Sequence, residues 1–154
     1  MMSSSQIDDI KNSISRYLSI REHSRSELFD KLFQKKFESK DIKICLDNFA
    51  ELGLQSDERY TEIYIRSKYE KQKGPNLIKS ELLKKKVDMK LIDKYLDLYD
   101  LDDWTESAIK ALNKKSFSDS YTNQQITDKQ KFFLTNRGFT KRTIDEAINK
   151  FWKI

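Results

Sequence analysis

Proline occurs once and glycine three times in 154 residues. Tight turns between strands draw on both, because they need a positive φ or a φ set in advance. Their scarcity argues against a sandwich, a barrel or a glycine-rich phosphate loop, and leaves helices. One cysteine, Cys45, excludes an internal disulfide, and one histidine, His23, leaves no Cys/His zinc set within the chain. No apolar run approaches the roughly 20 residues that span a bilayer. The opening MMSSSQIDDIKNS has neither a basic n-region nor an apolar h-region, so no secretory leader is expected. These absences together predict a cytoplasmic protein without membrane attachment. GxxxxGK[ST], GxGxxG and HExxH are all missing.

What is present is a repeat. Ile42, Cys45, Leu46 and Phe49 recur fifty residues on as Ile92, Tyr95, Leu96 and Tyr99, and again as Ile144, Ala147, Ile148 and Phe151. Each quartet has i, i+3, i+4, i+7 spacing, which puts four side chains on one helical stripe. The preceding segments align as well. Leu28, Leu32, Phe33 and Phe37 match Ile78, Leu82, Leu83 and Val87, while the third copy keeps Leu134 and Phe139 and has Gln130 and Thr135 at the other two places. A further helix comes before each pair, with stripes at Ile7, Ile10, Ile14, Tyr17 and Leu18, at Tyr60, Ile63 and Tyr64, and at Trp104, Ala108, Ala111 and Leu112. The sequence therefore predicts an all-α fold of three tandem three-helix repeats, 1–53, 54–101 and 102–154, with a longer polar loop near 113–127. Small units of this kind share apolar faces with their neighbours, so an elongated, curved, right-handed or solenoid-like array is expected.

Helix ends agree with this reading. Ser24 with Glu27 fits a capping box, and Asp103 with Glu106 and Thr127 with Gln130 approximate one. Pro75 suits a first helical turn, and Gly53, Gly74 and Gly138 fall at predicted helix boundaries.

Chemistry is sparse. His23 reads as a surface or capping-region histidine. Cys45 lies on an apolar stripe and reads as a buried structural thiol rather than half of a nucleophile pair. The acidic pairs sit at predicted helix starts, where they complement the helix dipole. No enzyme, metal or cofactor is expected. The net charge is +5, and the excess lies in the second and third repeats. Its densest stretch, RSKYEKQKGPNLIKSELLKKK (66–86), suits phosphates or an acidic protein groove. Tyr69 within it could either stack on a base or pack internally.

These residues resemble the RecX family of regulators of the RecA recombinase. LSIREHSRSELFDKL (18–32) is close to the family pattern L-x-x-R-x-x-S-x-x-E-L. KGPNLIKSEL (73–82) carries G-P-x-x-I-x-x-E-L, and Asp57, Tyr60, Tyr64 and Arg66 occupy family-type positions. The third repeat, with RGFTKRTIDEAI (137–148), keeps only the gross form. The resemblance implies helix-turn-helix-like modules and a regulator, mainly an inhibitor. It would bind in the groove of the RecA–DNA filament and block strand exchange, co-cleavage and filament extension. The RecA filament is then the partner of a monomer. Arg21 and Arg66 are partner-binding candidates by motif position. Arg25, Lys68, Lys73, Lys84, Lys85 and Lys86 join them by charge. The alternative for Arg21 and Arg66 is an internal ion pair with Glu27 or Asp57. The alternative function is a module that binds DNA directly. Family members usually place a glycine in the turn after the second helix of the first two repeats. Here Lys36 and Lys86 stand there, at a cost of about 1 kcal/mol if they turn left-handed.

Overall fold

The computed structural model describes residues 4–153, with side chains from Gln6 onward. Among them are nine helices and no strand: α1 (Ser4–Ile20), α2 (Arg25–Gln34), α3 (Ser39–Glu51), α4 (Asp57–Glu70), α5 (Pro75–Lys84), α6 (Met89–Leu96), α7 (Leu101–Lys114), α8 (Asn123–Asn136) and α9 (Lys141–Trp152). The expected all-α class is the one found. By internal contacts the chain forms two compact units. The first runs to Glu62 and takes in Lys85–Val87; the second holds the remainder.

In the first unit α1, α2 and α3 bury one cluster of Ile10, Ile14, Leu28, Leu32, Ile42, Cys45, Leu46 and Phe49. Ile7, Tyr17, Leu18, Phe29 and Phe37 close its edges. Each fully buried Leu or Ile contributes roughly 1.5–3 kcal/mol of transfer free energy, and the i, i+3, i+4 spacing is what lets three short helices pool it. In the second unit Ile78, Leu82, Ile92 and Leu96 are buried along α5 and α6. Helix α7 packs along α9, covering Trp104, Ala108, Ala111, Leu112, Ile144, Ala147 and Ile148. Tyr69, Tyr99 and Trp104 form an aromatic trio with ring centroids 4.5–5.4 Å apart, and the Tyr69 hydroxyl donates to the Asp103 carbonyl at 3.0 Å. Tyr69 is thus packed and unavailable to a base.

Three expectations need correction. Phe33, Leu83 and Ile63, placed on apolar stripes, are 57%, 40% and 40% exposed; in α4 the buried positions are Tyr60, Thr61 and Ile65. The capping boxes of α7 and α8 lie earlier than expected, at Asp100 with Asp103 and Thr122 with Gln125. The polar loop accordingly spans only 115–122, because the first two turns of α8 are polar apart from Ile126 and carry no stripe that could reveal them. His23 is 2% exposed. Its ring lies against Tyr17, and its Nδ1 is 3.0 Å from the Arg21 carbonyl.

The second helix of each triad ends in a left-handed residue: Lys36 (φ 73°), Lys86 (φ 57°) and Gly138 (φ 95°). Each is followed by an apolar side chain, Phe37, Val87 or Phe139, turned toward the core. Gln72 (φ 56°) ends α4 in the same way, a turn the sequence does not announce. Lys36 is exposed and its ammonium pairs with no side chain among the described residues, so its main contribution is strain. Lys36→Gly should raise the thermal midpoint by about 2–4 °C, the worth of roughly 1 kcal/mol at this size. A melting curve monitored by circular dichroism checks this, and a lower midpoint would refute the strain.

Candidate partner-binding surface

The candidate cations of the first unit are organised by a helix cap. Ser24 accepts from the Glu27 amide at 3.1 Å, and Glu27 Oε1 accepts from the Ser24 amide at 3.0 Å. That reciprocal box fixes Glu27 in a nearly closed position, and Arg21 then meets it fork to fork, at 2.8 and 3.3 Å. Lys85 Nζ approaches the same carboxylate at 3.7 Å. Burial by itself would raise the Glu27 carboxyl. The Arg21 guanidinium, the Ser24 amide and the Lys85 charge overcome it and hold the group at about 2.

Arg25 is tied twice. Its guanidinium pairs with Asp47 at 2.8 Å, and its amide donates to Asp57 Oδ1 at 2.8 Å. Gln55 donates to that same oxygen and to the His23 carbonyl, so Asp57 and Gln55 tie the start of α4 to the start of α2. Arg25 and Lys86 share a groove of about 430 Å³ with Phe29, Lys43, Asp30 and Asp57. Three cations there face two carboxylates, one of which is spent on backbone and amide donors.

The second unit holds the other four candidates. Arg66 is exposed on α4 and Lys84 on the last turn of α5, and no ion pair involving either occurs among the described residues. Lys68 lies over the Tyr64 ring, 5.3 Å from its centroid. Lys73 is half-buried, and desolvation first and the neighbouring Arg137 second push its pKa down. The eight candidates therefore divide by state. Arg21, Arg25 and Lys85 are paired; Lys68 rests on a ring; Lys73 is part-buried; Arg66, Lys84 and Lys86 stand in water.

Arg137 escaped the sequence reading. It donates to the Gln72 carbonyl at 2.9 Å and the Lys71 carbonyl at 2.7 Å, capping α4 from 65 residues away. Its only sequence signal is its place just before Gly138. Arg59, paired with Glu22 at 2.6 Å, was missed likewise. Cys45 is fully buried and burial raises its thiol, the reverse of an activated nucleophile.

Residues 11–48 match the family model for RecX, first three-helix domain, and residues 56–96 the model for RecX, second three-helix domain. Regulatory protein RecX of Legionella pneumophila (strain Corby) is 38% identical over 88% of this chain and 89% of its own. Its counterpart in Acinetobacter baylyi is 35% identical over 86% and 82%. The crystal structure of RecX from Lactobacillus salivarius superposes with a TM-score of 0.87 at 27% identity, covering 99% of this chain and all of the other.

Proposed function

Because this chain belongs to the RecX family, we propose that it regulates RecA recombinase, mainly as an inhibitor. It binds in the groove of the RecA–DNA filament and blocks strand exchange, co-cleavage and filament extension. The observation that carries this reading is the match to both RecX three-helix domains in order along the chain. The action is steric and electrostatic, performed in the cytoplasm by a monomer built of the three repeats 1–53, 54–101 and 102–154. Linked modules that each make modest contacts add their affinities through effective concentration.

Arg66, Lys84 and Lys86 make the direct contacts, since their charges are unspent. Lys68 and Lys73 support them. Arg21, Arg25 and Lys85 shape the surface through Glu27, Asp47 and Asp57 and contribute field rather than free hydrogen bonds. No helix is long and apolar enough to cross a membrane among the described residues, which is compatible with a partner in the cytoplasm.

The test is strand exchange by the cognate RecA with increasing amounts of this protein. Inhibition at or below equimolar ratio is expected. The variant R66E/K84E/K86E should need about tenfold more protein, the equivalent of about 1.4 kcal/mol. Unchanged strand exchange at several-fold molar excess of the native protein would overturn the reading. Tight binding to DNA without RecA, falling steeply with salt, would replace it with the direct DNA-binding alternative.

A further inference from the structure

The loop after α7 and the outer face of α8 enclose an open groove of about 790 Å³, in the size range of ligand sites. Its floor is aromatic. Phe132 is 70% exposed, Tyr121 is 37% exposed, and Phe117 is half-buried beside them. Aromatic side chains are enriched where proteins meet partners.

Its rim is cationic in an unusual way. Lys129 Nζ sits 4.6 Å from the Tyr121 centroid. Lys115 and Arg137 lie over Phe133, at 5.6 and 5.3 Å. None of the three has a carboxylate at ion-pair distance among the described residues, unlike Arg21, Arg25 and Lys85. Arg137 spends its donors on neutral carbonyls, so its charge stays uncompensated. Asp128 is the one carboxylate in the lining, and Gln124 donates to it at 2.9 Å.

We propose that this groove binds an acidic peptide segment. One large apolar side chain of the segment packs against Phe132 and Phe117, and its carboxylates meet Lys115, Lys129 and Arg137. Charge complementarity selects this occupant. An aromatic-floored, basic groove also suits single-stranded nucleic acid, but here the rings of Tyr121 and Phe133 already carry cations, and bases cannot stack on a face so occupied. A carboxylate needs only the outward side of each cation, and an apolar side chain needs only the exposed Phe132. The inference goes beyond filament binding and does not rest on it.

Fluorescence anisotropy tests it on the full chain, with fluorescein-labelled Asp-Glu-Asp-Phe-Glu-Asp-Glu as the probe. Saturable binding with Kd of about 10–100 μM is expected, ordinary for a short groove-bound peptide. Replacing the peptide's Phe by Ser should weaken it about tenfold, as should Phe132→Ser or Lys129→Glu in the protein. Both protein positions are exposed, so melting curves should match the parent, and Lys86→Glu should leave peptide affinity intact. Absence of saturable binding at millimolar protein overturns the proposal. So does an affinity indifferent to both Phe132→Ser and Lys129→Glu. An oligo-dT strand that displaces the peptide and loses affinity with Phe132→Ser would assign the groove to nucleic acid instead.

Discussion

Gly74→Ala should destabilise the protein by about 4 kcal/mol or more, and lower its thermal midpoint by roughly 8–16 °C. The reason is a contact between two backbones. The Gly74 amide donates to the Arg137 carbonyl at 2.7 Å, and the Asn76 amide donates to the Gly138 carbonyl at 2.9 Å. A methyl on Gly74 would overlap the carbonyl carbon and oxygen of Gly138 and the amide of Phe139. These are main-chain atoms that cannot rotate aside, so the two turns must part and four hydrogen bonds, counting those of Arg137, are weakened together. Gly138→Ala should behave similarly, since its methyl would strike Leu77 and its φ of 95° disfavours any side chain. Gly53→Ala is the control: its φ is 72° but open space surrounds it, so the cost should be about 1 kcal/mol. Melting curves of the three variants decide the matter. A Gly74→Ala midpoint no lower than that of Gly53→Ala would sink the account.

The second large effect concerns acid. The Glu27 carboxyl is held at about 2 against an ordinary 4.5. Above pH 4.5 the group is ionised in both folded and unfolded chains, and its contribution is fully present. As pH falls from 4.5 toward 2 the unfolded chain takes up the proton first, and the stabilisation drains away. The amount is roughly 2–3 kcal/mol, held down because the Arg21 guanidinium is half in water. Glu27→Gln preserves the shape of the cap while removing the charge. It should be less stable at pH 7 by about this amount and should lose this part of the acid dependence. Glu27→Ala also removes the capping box, for about 1 kcal/mol more. Urea titrations at pH 7 and pH 3 measure both effects. A stability gap between native and Glu27→Gln that stays constant from pH 7 to pH 3 would refute the linkage.

Both effects bear on what was legible in the sequence. The Ser24–Glu27 box and the three quartets were readable because their partners stand three or four residues apart, where a helix guarantees contact. The quartets came out buried or half-buried throughout, with Ile42, Cys45, Leu46 and Phe49 all in the core. The internal pairing of Arg21 with Glu27 was one of two stated alternatives, and it is present. Arg66 pairs with neither Glu27 nor Asp57. Asp57 accepting from the Arg25 amide, and Arg137 capping α4, were not legible, because partners 32 and 65 residues apart leave no periodic trace. Phe33 and Leu83 show the opposite error. Their apolar character fits a stripe, yet one helical turn has a limited arc facing inward, and Leu32 and Leu82 already occupy it. The aromatic groove was hidden for a third reason: Phe117 and Tyr121 lie in a polar loop where no period operates.

The clasp at Gly74 also sets an order of events during synthesis. The turn between α4 and α5 leaves the ribosome with two carbonyls, Lys71 and Gln72, and the amides of Gly74 and Asn76 still lacking their final partners. Those partners come from Arg137 and Gly138, some 65 residues later. At ordinary elongation rates that is a wait of roughly 3–13 s. The first unit draws most of its contacts from residues already emerged, so it can close while the second is still being made. A chain stalled before residue 137 should therefore show native-like protection in α1–α3 and rapid amide exchange at Gly74 and Asn76.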